Sequence, residues 1–218
     1  MKKKCTNCRL VNFAKADKCA RCGSKLGETE NIAVNGGFLN SPLVKRFGVL
    51  LLVCVISVAG FYTSLLFSAD SLTYAERSAV KDSIELLNEK GFSDEAFYLK
   101  YLTAFRANDN WLNASVVKEK AYAATNFPFE IVTLYPDFFI YPIDRTEHAA
   151  ILLHEARHLR GEDEHDAYEF VWKHRKQLGW TRDLYRTSEV WNAVKKQTQD
   201  VVPELFVCET KPNFDCTE

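Results

Sequence analysis

No charged side chain occurs between Phe47 and Ala69, although charged residues make up 26% of the chain. This absence excludes a helix on the surface of a soluble domain, which would need a polar face. The sequence also argues against a cleaved signal peptide, because the stretch begins only after 46 residues and is too long for a signal core. At ~1.5 Å per residue a helix here would reach about 34 Å and cross the hydrocarbon core of a bilayer. We therefore predict a transmembrane helix over residues 47–69 rather than a buried core helix.

Net charge is also nearly absent, at −1 for the whole chain, but the balance is uneven. Residues 1–46 carry ten Lys or Arg residues and three acidic ones, so the remainder of the chain has a net charge of −8. Lys45 and Arg46 adjoin the start of the apolar stretch, and positive residues are retained on the cytoplasmic side of membranes. The sequence therefore predicts a single-pass membrane protein with a cytoplasmic N-terminus. Residues 70–218 would lie outside, in a periplasm or at the cell exterior, with the lipid bilayer as a partner.

Near the N-terminus, two Cys-x-x-Cys pairs stand ten residues apart. Their members are Cys5, Cys8, Cys19 and Cys22. Two such pairs at the ends of a short loop can place four thiolates around one tetrahedral zinc ion, and a disulfide framework is not expected on a reducing side. Because a segment this short cannot hold a hydrophobic core, the metal would supply much of its folding free energy. We predict a zinc finger over residues 1–26, with a structural Zn²⁺, and a linker over residues 27–46.

The spacing inside this segment resembles the Ran-binding-protein type of zinc finger over roughly residues 3–26. In that family an Asn follows the second Cys after three residues, and six more residues precede the third Cys. Asn12 has this position here, between Cys8 and Cys19. Family members bind ubiquitin through Thr-Phe or single-stranded RNA through a Trp. This chain has Arg9-Leu10 and Lys2-Lys3-Lys4 at those places. Nucleic acid is therefore not an expected partner, and the basic residues are interpreted as a positive-inside signal beside a module that docks a cytoplasmic protein.

The cysteines on the predicted outer side are Cys208 and Cys216. A disulfide can persist in an oxidising compartment, so we predict that these two residues pair, although a free thiol pair stays an alternative. Cys54 falls within the apolar stretch and is expected to be inert.

The 149 residues that follow the apolar stretch suffice for one compact domain. Apolar residues at helical spacing predict a helix over Tyr74–Lys90, which ends at Gly91. A second helix is predicted from Ser93 to the Asp109-Asn110 pair, and a further one over 113–124. The domain should therefore be mostly helical.

The sequence then changes to β-branched and aromatic residues punctuated by prolines. Phe129–Tyr135 and Phe138–Tyr141 are predicted to form two short strands or one bent strand. Because proline confines strands to sheet edges, we expect this segment to expose an edge. The predicted fold class is α+β, with helices around a short sheet.

Histidine is scarce, with five residues in the chain, yet two of them stand four apart in His154-Glu-Ala-Arg-His158. Residues four apart on a helix lie on one face, so both imidazoles can point at the same ion. Glu155 lies about 100° further round the helix, where it can hold a water molecule beside the metal. The string alone is suggestive, so its surroundings must support it.

Local signals bound the helix that carries the two histidines. Asp144 and Glu147 have the spacing of a capping box, and Gly161 is a suitable residue just beyond a helix C-terminus. Leucines within the segment give it an apolar stripe. The pattern predicts an amphipathic helix from 145 to about 160, directly after the predicted edge strand.

An edge strand followed by a helix with this motif resembles the zincin class of metallopeptidases, over roughly residues 129–180. The resemblance implies that His154 and His158 bind a catalytic Zn²⁺ and that Glu155 is the general base. It also implies that the strand at 130–135 holds an extended peptide substrate by backbone pairing.

A catalytic zinc ion needs a third protein ligand, and the sequence offers two. The metzincin spacing places Glu164 at the third-ligand position, and the Glu-x-x-Ala pattern of glutamate zincins fits Glu164 to Ala167. The aspzincin alignment, counted back from Tyr168, selects His165 instead. We choose Glu164 over His165. A metzincin Met-turn is absent, since Met1 is the only methionine.

The function expected from these resemblances is zinc-dependent peptide hydrolysis by a membrane-anchored enzyme, with a peptide or protein substrate on the outer side. The alternative is a non-enzymatic sensor or scaffold that binds metal or peptide outside and contacts a cytoplasmic protein through the finger. A purely structural envelope protein is a third possibility.

Overall fold

The structure, a computed structural model, describes residues 2–27, 42–115 and 121–207. The chain forms two compact units, residues 1–57 and residues 58–218. The predicted disulfide between Cys208 and Cys216 lies outside the described residues, as does most of the predicted linker.

The smaller unit begins with an antiparallel hairpin of β1 (Lys2–Lys4) and β2 (Val11–Phe13). Each Cys-x-x-Cys pair is followed by a residue with positive φ, Arg9 at 61° and Gly23 at 70°. In both turns the N–H of that residue donates to the carbonyl of the first cysteine of its own pair, at 2.9 Å and 3.0 Å. The two knuckles therefore share one backbone form, although only glycine adopts it without strain.

Helix α1 (Pro42–Phe67) contains most of the predicted transmembrane segment. Its 26 residues reach a mean hydropathy of 2.4, and only 6% of its most apolar window is buried. Among the described residues it is the one helix that is long and apolar enough to cross a membrane. The helix begins before Lys45 and Arg46, so these two residues belong to its first turns rather than to the predicted linker.

The larger unit is mostly helical around a small sheet. Its helices are α2 (Tyr74–Glu89), α3 (Ser93–Phe97), α4 (Pro136–Ile140), α5 (Arg145–Leu159), α6 (Glu164–Leu178), α7 (Arg182–Tyr185) and α8 (Glu189–Val201). Its strands are β3 (Ala104–Arg106), β4 (Ala123–Asn126) and β5 (Ile131–Leu134). Helix α5 packs against α2, α6 and β4, and Leu152, Leu153 and Ala156 on it are fully buried. The helix with the histidine motif is therefore the central element of the core.

The sheet has the order β3-β5-β4, and β5 pairs parallel with β3 and antiparallel with β4. The prediction that residues 130–135 form an edge strand is therefore wrong. All four residues of β5 are buried, which is the pattern of a strand covered on both faces. The prolines at 128 and 136 lie outside the strand and end it. The edge next to α5 is formed by β4 instead.

Three other predicted elements differ from the structure. Phe138–Tyr141 belongs to α4, because Pro136 occupies the first helical position, where its missing N–H costs nothing. Only the start of the helix predicted from Ser93 is observed as an α-helix, α3. A π-helical turn at Tyr98–Leu102 follows it, and then β3. The predicted helix over 113–124 contains a short 3₁₀ turn and the start of β4.

Helices α2 and α5 confirm their predictions. The Asp144 side chain accepts hydrogen bonds from the N–H groups of Thr146 and Glu147, and Gly161 follows α5 with a φ of 81°. The Glu147 side chain does not close a capping box; it is fully buried and accepts from the Ile143 N–H, Trp180 Nε1 and the Ser188 hydroxyl. This buried carboxylate ties the start of α5 to the segment between α6 and α8.

The C-terminal end of α1 is joined closely to the larger unit. Trp111 donates from Nε1 to the Ser64 hydroxyl at 3.2 Å, and its ring meets Phe61 edge-on at 5.6 Å. Just beyond the helix, Ala69 is buried, and the Asp70 N–H donates to the Asn108 side chain at 2.6 Å. Few residues separate the end of α1 from the domain that follows it, and Ser68 among them accepts a hydrogen bond from the Trp111 N–H at 3.2 Å.

Candidate metal centres and cleft

Three side chains predicted as ligands converge at the C-terminal end of α5. One ligand atom from each of His154, His158 and Glu164 lies within 4.8 Å of the others. The two imidazole Nε2 atoms are 3.1 Å apart, and the carboxylate oxygens of Glu164 lie 3.3 Å from His154 Nε2 and 3.5 Å from His158 Nε2. Two imidazoles and one carboxylate are a donor set suited to a zinc ion. This group of residues could therefore hold a metal ion.

The alternative third ligand points elsewhere. His165 Nε2 lies 2.6 Å from a carboxylate oxygen of Glu204, in the 3₁₀ turn Pro203–Phe206. Both side chains are exposed, and their mutual attraction raises the pKa of His165. The geometry thus brings Glu164, and not His165, to the two motif histidines.

The orientation of His158 is set by the turn that follows α5. Its Nδ1 donates to the main-chain carbonyl of Glu162 at 3.0 Å, which leaves Nε2 to face the cluster. Arg157 donates to both carboxylate oxygens of Glu162, with Nε at 2.5 Å. Arg157 also donates to the buried carboxylate of Glu95 at 2.8 Å and lies over the ring of Phe170. Arg157 therefore pairs with two acidic residues, and neither of them is a metal-ligand candidate.

Charge at the cluster is shared between His158 and Glu164. Burial opposes protonation of His158, but hydrogen bonds to Glu164 and to the Glu162 carbonyl outweigh it and raise its pKa to about 9. Hydrogen bonds from His154 and His158 hold the pKa of Glu164 far below its usual range. The raised pKa of His158 and the lowered pKa of Glu164 therefore both favour a positive imidazole beside a negative carboxylate.

Glu155, the predicted general base, is buried beside the cluster. Its carboxylate accepts a hydrogen bond from the hydroxyl of Thr125 on β4, at 2.7 Å. Sequence reasoning missed Thr125, because its segment was assigned to a helix or left unassigned. The only signal in the sequence is that Thr125 is a β-branched residue in a run of alanines.

A cleft of about 720 Å³ runs along this site. One wall is β4, whose far edge has no partner strand in the part of the chain that the structure describes. The opposite wall is built by α6 and α8. The side chains that line the cleft there include Tyr168, Val171, Val194, Gln197, Asp200 and Val201. The ring of Tyr168 lies 4.4 Å from that of His154. The cleft has the volume of an ordinary ligand site and borders all three candidate ligands.

The four cysteines of the smaller unit form a second cluster. Their sulfur atoms all lie within 4.8 Å of one another, with Cys5 and Cys22 3.5 Å apart and Cys8 and Cys19 3.4 Å apart. The buried side chain of Asn12 accepts from the Ala20 N–H and lies 3.6 Å from the sulfur of Cys19. The backbone N–H groups of Cys22 and Arg21 lower the pKa of Cys19 to about 6. These residues could hold a metal ion through thiolates.

Comparisons with protein families, with curated proteins and with solved structures give no match for this chain. The function must therefore be inferred from the residues and their arrangement.

Proposed function

We propose that this protein is a membrane-anchored, zinc-dependent peptidase that hydrolyses peptide bonds on the extracytoplasmic side. The observation that carries the proposal is the convergence of His154, His158 and Glu164 on the wall of a cleft that also contains Glu155. The donor set is that of catalytic zinc sites, in which three protein ligands leave a further position for water or substrate. The motif helix beside an edge strand supports a zincin-like site, with β4 in the place expected for residues 130–135.

Bound zinc would supply a Lewis acid and lower the pKa of a water molecule at the ligand cluster. Glu155 accepts a proton from the attacking water and returns it to the amine that leaves. Thr125 fixes the carboxylate of Glu155 by its hydrogen bond. Tyr168 lines the cleft beside His154, where its hydroxyl can stabilise the negative charge that develops on the carbonyl oxygen.

The substrate class follows from the two walls of the cleft. An extended peptide can add to the outer edge of β4 as a further strand, because its backbone groups match the N–H and C=O groups that no described strand pairs there. Ile151, Val194 and Val201 then offer an apolar surface to one peptide side chain. We expect cleavage beside an apolar residue of an unfolded or extended segment.

Membrane anchoring rests on α1. A 26-residue helix has a length of about 39 Å, which exceeds the ~30 Å of a hydrocarbon core. Its side chains are mostly exposed, which a core helix of a soluble protein would not tolerate. Lys45 and Arg46 in its first turns favour a cytoplasmic N-terminus. Protease protection of tags at each end, in intact cells, tests this orientation.

The cysteine cluster is proposed to bind a structural zinc ion and to present a docking surface to a cytoplasmic protein. On β2, the side chain of Asn12 is buried while Val11 and Phe13 are exposed on the opposite face, Phe13 by 85%. Exposed apolar residues of this kind suit a protein partner more than nucleic acid.

The test of the proposal uses the full chain in detergent, loaded with zinc and incubated with a peptide library read by mass spectrometry. Two zinc ions per chain are expected. Glu155→Gln should retain both and lose about 10²- to 10⁴-fold in cleavage rate. Glu189→Gln, on the exposed start of α8, is the control and should behave like wild type. Two bound zinc ions with no cleavage of any peptide would favour the non-enzymatic sensor or scaffold.

A further inference from the structure

A second cavity lies in the larger unit, at the base of the domain where α1 ends. It measures about 410 Å³, and its floor is formed by four buried apolar side chains. Leu72 precedes α2, Val80 and Ile84 lie on α2, and Leu99 lies in the π-helical turn. No residue of the candidate metal site lines it. This volume is within the range of small-molecule sites.

The cavity is bordered by four cationic side chains and one acidic one. The cations are Arg77, Lys81, Lys100 and Arg106, and the acid is Glu85. Glu85 lies 3.7 Å from Lys81, while none of the other three cations forms an ion pair with a described residue. An apolar floor beneath an excess of positive charge matches a ligand that has an apolar chain and an anionic head.

Two of these cations are oriented by backbone carbonyls next to α1. Arg77 donates from Nε to the Leu72 carbonyl at 2.8 Å, and Arg106 donates from Nε to the Leu66 carbonyl in the last turn of α1 at 3.1 Å. Both guanidinium groups therefore lie near the end of the apolar helix, which would place them close to the headgroups of a bilayer that α1 crosses. Basic pockets beside membrane-spanning helices are a known form of headgroup recognition.

The surface beside the cavity is apolar and exposed. Phe97, Tyr101 and Leu102 are 51%, 64% and 47% exposed, and they flank Lys100 in sequence. Aromatic residues are enriched where proteins meet the membrane interface. This observation is independent of the charge pattern and points to the same kind of surroundings.

We propose that this cavity binds one anionic lipid, with an acyl chain on the apolar floor and the headgroup between Arg77, Lys100 and Arg106. The inference rests on the membrane-spanning role of α1 but not on peptide hydrolysis. The ligand must combine an anionic head with an apolar chain, and both parts contribute to its binding.

The test is native mass spectrometry of the full chain in detergent, titrated with soluble dioctanoyl lipids. Dioctanoyl phosphatidylglycerol should bind at one per chain, and dioctanoyl phosphatidylcholine at least tenfold more weakly. Glycerol phosphate, which carries the anion without the chain, should not compete at equal concentration. Equal binding of the two lipids, or competition by glycerol phosphate alone, would overturn the proposal.

Two variants locate the site. Arg77→Gln with Lys100→Gln should weaken phosphatidylglycerol binding at least tenfold, whereas Lys176→Gln with Lys196→Gln removes the same charge elsewhere and should not. Ser71→Trp places bulk at the cavity without changing charge and should also weaken binding. If both cavity variants bind like wild type, the lipid is not in this cavity.

Two readouts separate this proposal from the proposed function. Zinc content and peptide cleavage in detergent should be unchanged in the cavity variants, and they also report correct folding. Release of the chain from membranes by alkaline carbonate would refute the membrane-spanning role directly, whatever the peptidase assay shows.

Discussion

Arg157 holds Glu162 by two hydrogen bonds to its carboxylate, while the main-chain carbonyl of Glu162 accepts from His158. The side chain of Arg157 thus fixes the turn that orients a candidate ligand, although Arg157 itself points away from the cluster. The pair is partly buried, so its contribution is not removed by solvent screening as that of a surface pair would be.

Arg157→Gln should weaken zinc binding at the histidine cluster by about 10- to 100-fold, the usual cost of losing a partner of a metal ligand. The reason is that the Glu162 carbonyl would no longer be held in place for His158. Competition with a chelator measures this, and the cysteine cluster, unchanged in both proteins, is an internal reference. Arg160→Gln, which removes only the 3.3 Å contact to Glu95, should leave the affinity unchanged. Equal affinity in the Arg157 variant would show that the turn needs no such support.

Glu164→Ala should reduce the zinc content of the full chain from two ions to one, because it removes one of three converging donors. His165→Ala should leave two ions, because its imidazole faces Glu204. Metal analysis of the purified proteins decides between these two residues. If only His165→Ala loses an ion, then His165 and not Glu164 is the third ligand.

Thr125→Val should lower the turnover number about 10- to 150-fold, since a hydrogen bond to a charged group contributes on the order of 1.5–3 kcal/mol. Zinc content should not change, because Thr125 contacts Glu155 and no ligand. Thr133→Val on the adjacent β5 is a matched control. Its hydroxyl is buried with no hydrogen-bond partner, so removal should not affect turnover. A similar loss in both variants would indicate damage to the sheet rather than to Glu155.

Tyr185 links the start of α5 to α7, and its hydroxyl donates to Asp144 at 2.6 Å. Burial and this hydrogen bond raise the pKa of Tyr185 to about 12, against about 10 in the unfolded chain. The stabilisation is therefore complete below pH ~10 and is lost as pH rises towards 12.

Tyr185→Phe should accordingly be less stable than wild type by about 1 kcal/mol at pH 8, and the difference should shrink above pH ~10. Denaturant unfolding at several pH values measures both effects, with Tyr74→Phe, an exposed residue, as the control. A difference that stays constant up to pH 12 would contradict the assignment.

The motif helix could be predicted because its signals are local. Asp144, the apolar stripe and Gly161 lie within or next to the helix, and the spacing of His154 and His158 alone puts both on one face. The same applies to α2, whose capping residues and periodicity are contiguous in the sequence. Signals within or next to each helix were therefore enough to predict both helices.

The edge strand could not be predicted, because strand order depends on pairing between distant segments. β5 is central since β3, from 25 residues earlier, pairs with it on the side away from β4. The alanines before Thr125 favour a helix in isolation, and tertiary packing overrides that preference. The contact that directs His165 away from the cluster depends likewise on Glu204, which lies 39 residues further along, whereas the spacings within the sequence already favoured Glu164.

In the peptidase proposed above, the junction at Ala69 and Asp70 would attach the end of the membrane helix directly to the domain that carries the cleft. The end of α1 and the cleft belong to the same compact unit, and few residues lie between Phe67 and the buried Leu72. A junction this short would limit how far the domain could move from the membrane surface. Such an enzyme would select its cleavage site partly by distance from the membrane surface, so membrane-tethered substrates would be cut at a characteristic position regardless of small changes in sequence.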